Sequence, residues 1–249
     1  MKKPTDDFLR RQYPELGAGG FTHVDGTIQF YFRINALVQQ HSHVLDLGAG
    51  RGWWLEDETN EVKRSLRMLK GKVAEVVGID VDPVVTTNRS LDKAVVGIPG
   101  QALPFNSASF DVVIADYVLE HIDDPAQVAA EIRRILRPGG WFCARTPNRW
   151  GYVSIGTRIF SNRLHARILR LAQPERKEID VFPTRFRLNT MRSIKKYFSN
   201  VDFEHFSFYY QAEPAYHFNS PLIFSFMRFV DDLLPRPLRG NLFIFLRRK

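Results

Sequence analysis

Residues 44–52 read VLDLGAGRG, and no other stretch limits the chain's possible folds so tightly. A short apolar run of Val44, Leu45 and Leu47 gives way to alternating glycines at 48, 50 and 52. Apolar residues bounded by glycine predict a buried strand turning sharply into the next element. Glycine lets the backbone take positive φ and lets a ligand lie against the main chain. A helix opening at Trp53 would turn its unpaired N–H groups toward an anionic part of that ligand. The stretch reads as a nucleotide-type cofactor loop.

The dinucleotide pattern G-x-G-x-x-G is matched only by Gly48 and Gly50, because Trp53 stands in the third place. Asp80, the next acid at a strand end, also comes later than that pattern expects. What the chain does carry is Asp46-x-Gly48-x-Gly50-x-Gly52, then GIDVDP at 78–83, Leu103-Pro104-Phe105, Ser109-Phe110-Asp111, and LRPGG at 136–140. Over residues 28–148 this series resembles the class I S-adenosylmethionine (SAM) dependent methyltransferases. The resemblance implies SAM as cofactor and an α/β fold, a doubly wound, mostly parallel seven-stranded sheet of Rossmann-like type. It also implies cofactor contacts at Asp46, Gly48, Ala49, Gly50, Gly52, Asp80, Val81, Asp116 and Tyr117.

Asp80 is the best defined of these. A carboxylate at the end of a strand accepts hydrogen bonds from adjacent ribose hydroxyls, which is the role the family gives the acid in GIDVDP. A helix N-cap is the competing reading, and Asp82 fits it better because Pro83 then takes the first helical position. Relatives often place an acid before Leu-Pro-Phe to receive the adenine amino group, but Pro99 stands there in this chain. That contact falls to Gln101 or to the backbone near Ala102.

Taken in order, residues 1–27 are polar and glycine-rich and read as a mobile arm, with residues 28–249 as the methyltransferase domain. His23 and Tyr31 could cover a site, but surface and core roles suit them better. Apolar residues at 28, 30, 34, 37 and 38 predict a helix, and residues 53–69 a second. Strands are expected over 73–80, 94–98, 110–115, 141–146, 201–208 and 241–246, with helices at 125–136, 188–198 and 221–234. Strands alternating with helices from 44 to 146 predict a parallel sheet. The insertions at 149–187 and 212–238 read as acceptor or lid segments. In the first, residues 152–171 space apolar side chains against Arg158, Arg163, Arg167 and Arg170, a basic amphipathic helix or two short ones, suited to an anionic membrane surface, to a lid over the acceptor or to packing on the sheet.

Charge is divided unevenly. Residues 1–144 hold 16 Lys and Arg against 19 Asp and Glu, net −3; residues 145–249 hold 19 against 8, net +11. A basic half points to an anionic partner, such as a membrane surface, or only to solvation. The lone cysteine, Cys143, rules out a disulfide framework within the chain and suits a reducing, cytoplasmic setting. Neither an apolar leader core nor a spanning helix is expected.

For chemistry, the resemblance puts the acceptor near the ends of strands four and five, beside Tyr117, Glu120 and His121. His121 could act as general base, its ordinary pKa of about 6.5 being suited to that task; it could equally tie the loop to the helix. Some relatives hold a divalent ion with Glu-x-x-Glu-His, but Tyr117 replaces the first glutamate, so no metal is expected. The Asn/Asp-Pro-Pro-Tyr/Phe signature of base amino methylation is absent, which disfavours nucleic acid. The expected acceptor is an oxygen on a small-molecule, lipid-linked or glycan-type substrate. Alternatives are a quinone-pathway O-methyltransferase at the membrane surface and a SAM-binding regulatory protein without turnover. The apolar helix at 221–234 could line a pocket or form a homodimer contact.

Overall fold

The computed structural model describes residues 9–152, 154–155, 183–214 and 220–249. Its first helix, α1 (Gly26–Leu37), starts at Asp25, whose carboxylate accepts the Thr27 and Ile28 amides. Strand β1 (His43–Leu47) follows, then the glycine loop, α2 (Trp54–Asp57), α3 (Glu61–Arg67), β2 (Glu75–Asp80), β3 (Lys93–Val96) and β4 (Phe110–Asp116). Next come α4 (Pro125–Ile135) and β5 (Leu136–Pro147). After residues 148–190 the chain adds α5 (Met191–Tyr197), β6 (Phe203–His205), β7 (Phe208–Tyr210), α6 (Pro221–Leu233) and β8 (Asn241–Arg248).

The strands form one sheet in the order β3-β2-β1-β4-β5-β8-β6, with β7 also paired to β8. Strands β1 to β5 run parallel, and β8 is antiparallel to β5, β6 and β7. Successive side chains point to opposite faces of a strand, so the sheet separates two cores. Leu45, Val77, Val113, Phe142 and Ile244 pack with Ile132 and Ile135 of α4 and Ile194 of α5. Val44, Val76, Val112, Ile114, Cys143 and Phe243 pack with Phe30 and Ile34 of α1. This is the doubly wound, mostly parallel sheet the sequence predicts.

Four local expectations need correction. The sheet has eight strands among the described residues, not seven. The expected strand at 201–208 is two short ones that pair with opposite ends of β8, since β6 faces residues 246–248 and β7 faces residues 241–243. The expected helix at 53–69 is broken, because Glu58 is extended and Asn60 caps α3 by accepting the Lys63 amide. Small polar side chains here satisfy the backbone outside a helix. Finally, β5 begins at Leu136 rather than Trp141: Leu136 pairs with Phe110 and Trp141 with Val112, so Arg137 to Gly140 form an irregularity within the strand rather than a loop before it. Residues 156–182, which include most of the basic helical segment read at 152–171, lie outside the described residues.

Candidate functional site

The site lies at the carboxyl ends of β1, β2 and β4, where open α/β sheets bind ligands. Gly48, Gly50 and Gly52 all have positive φ. At Gly48 a Cβ would sit 2.4 Å from Val118 Cγ2, so the crossing to the β4 loop needs glycine. At Gly50 nothing lies within 4 Å of that position, which leaves the main chain open to a ligand. The loop is pinned from behind. Its Gly48 and Ala49 amides donate to the Ile79 carbonyl at 2.7 and 3.2 Å. Asn88, buried, donates from Nδ2 to the carbonyls of Ala49 at 3.0 Å and Gly50 at 3.1 Å.

Asp80 ends β2. Its Oδ2 accepts the Gly50 amide at 2.9 Å and its Oδ1 accepts the Asp82 amide at 2.9 Å. Each carboxylate oxygen has a second lone pair, so ribose hydroxyls can be received while the loop stays tied. Asp82 in turn accepts the Val84 amide at 2.9 Å and starts a short 3₁₀ turn, Pro83–Thr87. The cap and the strand-end acid are thus separate residues, as the sequence suggests. Val81 and Ile98 are exposed beside this edge and offer apolar faces of the kind a flat base requires. Gln101 and Ala102 are exposed on the segment after β3.

Beneath the loop lies a buried charge cluster. Asp116, the last residue of β4, is held by the guanidinium of Arg145 on β5 through both carboxylate oxygens, with Nη2 to Oδ2 at 2.9 Å. The Tyr31 hydroxyl donates to the same Oδ2 at 3.0 Å. Burial works against the charge on Asp116, but Arg145 outweighs it and holds the carboxyl below its usual range. Arg67 approaches Asp116 at 3.8 Å and lies over the rings of Trp54 at 4.9 Å, Tyr31 at 5.3 Å and Trp53 at 5.5 Å. Asp46, at the end of β1, is pushed up to about 7, first by burial and then by Asp116. A carboxyl so placed gains from a cation.

The three acceptor-side candidates separate. Tyr117 stands in the left-handed region with φ 58° and is exposed, with its hydroxyl 3.4 Å from Asn241 Oδ1. Glu120 is buried. Its Oε2 accepts the Thr146 hydroxyl at 2.8 Å, while its main-chain oxygen receives the amides of Arg185 at 2.6 Å and Phe186 at 3.1 Å. Burial pushes its carboxyl up to about 7. Asn189 completes this bolt by donating to the Thr146 hydroxyl at 2.6 Å. His121 holds Nδ1 at 3.1 Å from the Pro183 carbonyl, which assigns that nitrogen as donor. Among the described residues, no three His, Cys, Asp or Glu side chains form a group able to hold a metal.

Sequence reasoning missed Arg145, Arg67 and Asn88, and it placed Tyr31 outside the site. The signal for Arg145 was present, since it is a cation inside the apolar run 141–146. His23, which the sequence considers as a cover, is exposed and bonds Glu15 at 2.7 Å.

An open parallel sheet crossed at its first loop by glycines, with an acid ending the second strand, defines a nucleotide-cofactor protein, and the fold is the Rossmann-like methyltransferase fold. It is similar to a SAM dependent methyltransferase from Aquifex aeolicus, at TM-score 0.51 and 11% identity over 99% of both chains. It is also similar to geranyl diphosphate C-methyltransferase from Streptomyces coelicolor, at TM-score 0.54 and 12% identity over 90% of this chain and 77% of that one.

More particularly, residues 45–144 match the family profile of the methyltransferase domain. A probable S-adenosylmethionine-dependent methyltransferase of Mycolicibacterium smegmatis is 32% identical over 154 residues, 58% of this chain and 55% of its own. A ubiquinone biosynthesis O-methyltransferase of Thiobacillus denitrificans is 32% identical over 115 residues, 43% and 44% of the two chains. The chain therefore spans about half the length of these relatives.

Proposed function

We propose that the chain is a SAM-dependent methyltransferase that transfers a methyl group to oxygen of a small-molecule or lipid-linked acceptor. The observation that carries this reading is the Gly50–Asp80 arrangement, in which an open glycine main chain stands 2.9 Å from a strand-end carboxylate with lone pairs to spare. The residues fit the cofactor in each part. On this reading Asp80 would take the ribose, Val81 and Ile98 would flank the adenine, and Gln101 and Ala102 would read its edge. Gly48, Ala49, Gly50 and Gly52 would give the main chain close approach, and Asp46 with the Asp116–Tyr117 segment would receive the charged amino-acid end.

When bound, SAM supplies an activated methyl on a sulfonium, so the chain's own task is positioning and proton handling. Tyr117 and His121 stand on the β4 loop where an acceptor would meet that methyl. His121, whose Nδ1 faces the Pro183 carbonyl, is the side chain on this loop whose chemistry suits taking the acceptor's proton. Glu120 bolts the loop to β5 through Thr146 and keeps both neighbours in place.

A second reading, methylation of a quinone precursor's ring hydroxyl, is favoured by the relative named for ubiquinone biosynthesis. Titration calorimetry tests the core of both. SAM should bind, and Asp80→Ala should weaken it by at least about tenfold through loss of charge-assisted hydrogen bonds. Unchanged affinity, or binding of a nicotinamide dinucleotide instead, overturns the assignment. Methyl transfer to a catechol-type quinone precursor, set against simple aliphatic alcohols, separates the two acceptors.

A further inference from the structure

Helix α6 wears its apolar face outward. Leu222, Phe226, Phe229 and Leu233 recur at spacings of four, three and four, which is one stripe of a helix. They are 84%, 67%, 62% and 67% exposed. The opposite face is inside: Phe224 is buried against the Tyr13 ring, and Asp231, one heptad on, is buried too. The helix is therefore fixed in orientation, and its exposed stripe is not a packing face turned by chance.

Arginines surround the stripe. Gln12 joins residues 9–12 to α6, bonding Ser225 at 3.4 Å and accepting from Arg228 at 2.6 Å, which brings the exposed Arg10 and Arg11 alongside. Arg236, also exposed, follows the helix directly. Asn148 holds the carbonyls of Pro237 at 2.8 Å and Arg239 at 2.7 Å, so the neighbouring Arg149 and exposed Trp150 stand beside this turn. Asp232 is the exposed acid within the helix.

We infer that α6 docks this domain onto an anionic lipid surface, lying in the plane of the bilayer with Leu222, Phe226, Phe229 and Leu233 in the headgroup–acyl boundary. Thirteen residues make a helix of about 20 Å, too short to cross a hydrocarbon core of about 30 Å. Among the described residues no helix is long and apolar enough to span. An apolar stripe on a helix whose adjoining segments carry exposed arginines is the pattern of a helix lying in the interface. A second copy of this chain fits poorly. A two-fold contact brings the arginines of both copies to one interface, where Asp232 is the exposed acid the helix offers against them. Anionic headgroups take both the charge and the apolar face.

The inference goes beyond methyl transfer, and its test needs no turnover. The full chain is sedimented with phosphatidylcholine vesicles, with and without phosphatidylglycerol, at low and high salt. Three proteins are compared: wild type, Phe226→Ser/Phe229→Ser, and Arg10→Gln/Arg11→Gln/Arg236→Gln. Expected is binding to the anionic vesicles alone, weakened by salt and reduced at least about tenfold in each variant. All altered side chains are exposed, so thermal midpoint and SAM affinity should match wild type. Absence of binding to anionic vesicles, equal binding to neutral ones, or binding untouched by the aromatic change overturns the proposal. So does a dimer in light scattering that the aromatic change dissolves while no vesicle is bound. Vesicle binding without SAM affinity would sink the enzymatic reading and leave this one standing.

Discussion

The cofactor edge and α6 treat their unusual groups in opposite ways. At the edge of β1, β2 and β4, charges are drawn inward and answered: Asp116 by Arg145 and Tyr31, and the glycine loop by Asp80 and Asn88. On α6 four large apolar side chains are turned outward, while the carboxylate of Asp231 is buried on the opposite face. The contrast shows where binding strength is stored. A pre-paired polar cluster holds one geometry for a small charged ligand, whereas an uncovered apolar stripe gains only when something large covers it. Substitutions and pH can press on either side of that contrast.

The largest effect is expected at Arg145. Its guanidinium is buried and bidentate to Asp116, and removing it leaves that carboxylate with the Tyr31 hydroxyl and the more distant Arg67 alone. Arg145→Leu should cost about 3–5 kcal/mol, because a buried charge left without its partner is strongly unfavourable. Urea unfolding reads this directly. Arg145→Leu paired with Asp116→Leu should recover much of the loss, and a double variant as unstable as the single would show that the pair does not act as a unit.

Gly48 comes next. An alanine there must adopt φ near 73° and bring its Cβ within 2.4 Å of Val118. Gly48→Ala should lose about 1–3 kcal/mol from the strained conformation and weaken SAM binding with it. Gly71, also at positive φ but with nothing within 4 Å of its Cβ position, is the control: Gly71→Ala carries backbone strain without the collision. If the two variants lose equally, close approach to Val118 adds nothing.

The legibility of the site in the sequence follows the same division. Asp46, the glycines and Asp80 were readable because turn chemistry and strand ends are set by residues close in sequence. Arg145 stood out as a cation in an apolar run, but its role did not, because its partners Asp116 and Tyr31 are 29 and 114 residues away and only the sheet order brings them together. The eighth strand was missed for a similar reason. Residues 201–208 alternate like one strand, and only pairing with opposite ends of β8 divides them at Phe206 and Ser207. The outward face of α6 was visible as an apolar helix, but not which side of it Tyr13 would cover.

A tenfold effect is expected from pH at the cofactor edge. Asp46 is pushed up to about 7 by burial and by Asp116, with Arg67 pulling the other way. In the protein without ligand its neutral form is therefore favoured below pH 7. A ligand whose positive end faces it draws the carboxyl into the ionised form and releases a proton. SAM affinity should rise with pH up to about 7, by up to about tenfold per unit, and level off above. Asp46→Asn should flatten the profile. A slope that persists in Asp46→Asn would place the titrating group elsewhere, with Glu120, also near 7, as the next to change.

The smallest effect tests the inner side of α6. Asp231 is pushed up to about 6, chiefly by burial. A carboxyl whose pKa is raised by folding destabilises the fold once it ionises: the penalty is absent below its unfolded value of about 4 and complete above about 6. Asp231→Asn should therefore raise stability at pH 8, by about 1 kcal/mol once solvent screening of a half-buried carboxyl is allowed for, and leave it nearly unchanged at pH 4. Unlike Arg145→Leu, this change removes a buried charge rather than stranding one, so the sign reverses. Thermal midpoints of the two proteins at both pH values decide it. Equal gains at both would mean that ionisation of Asp231 is not what burial under α6 opposes, and that the amide stabilises through packing or a new hydrogen bond.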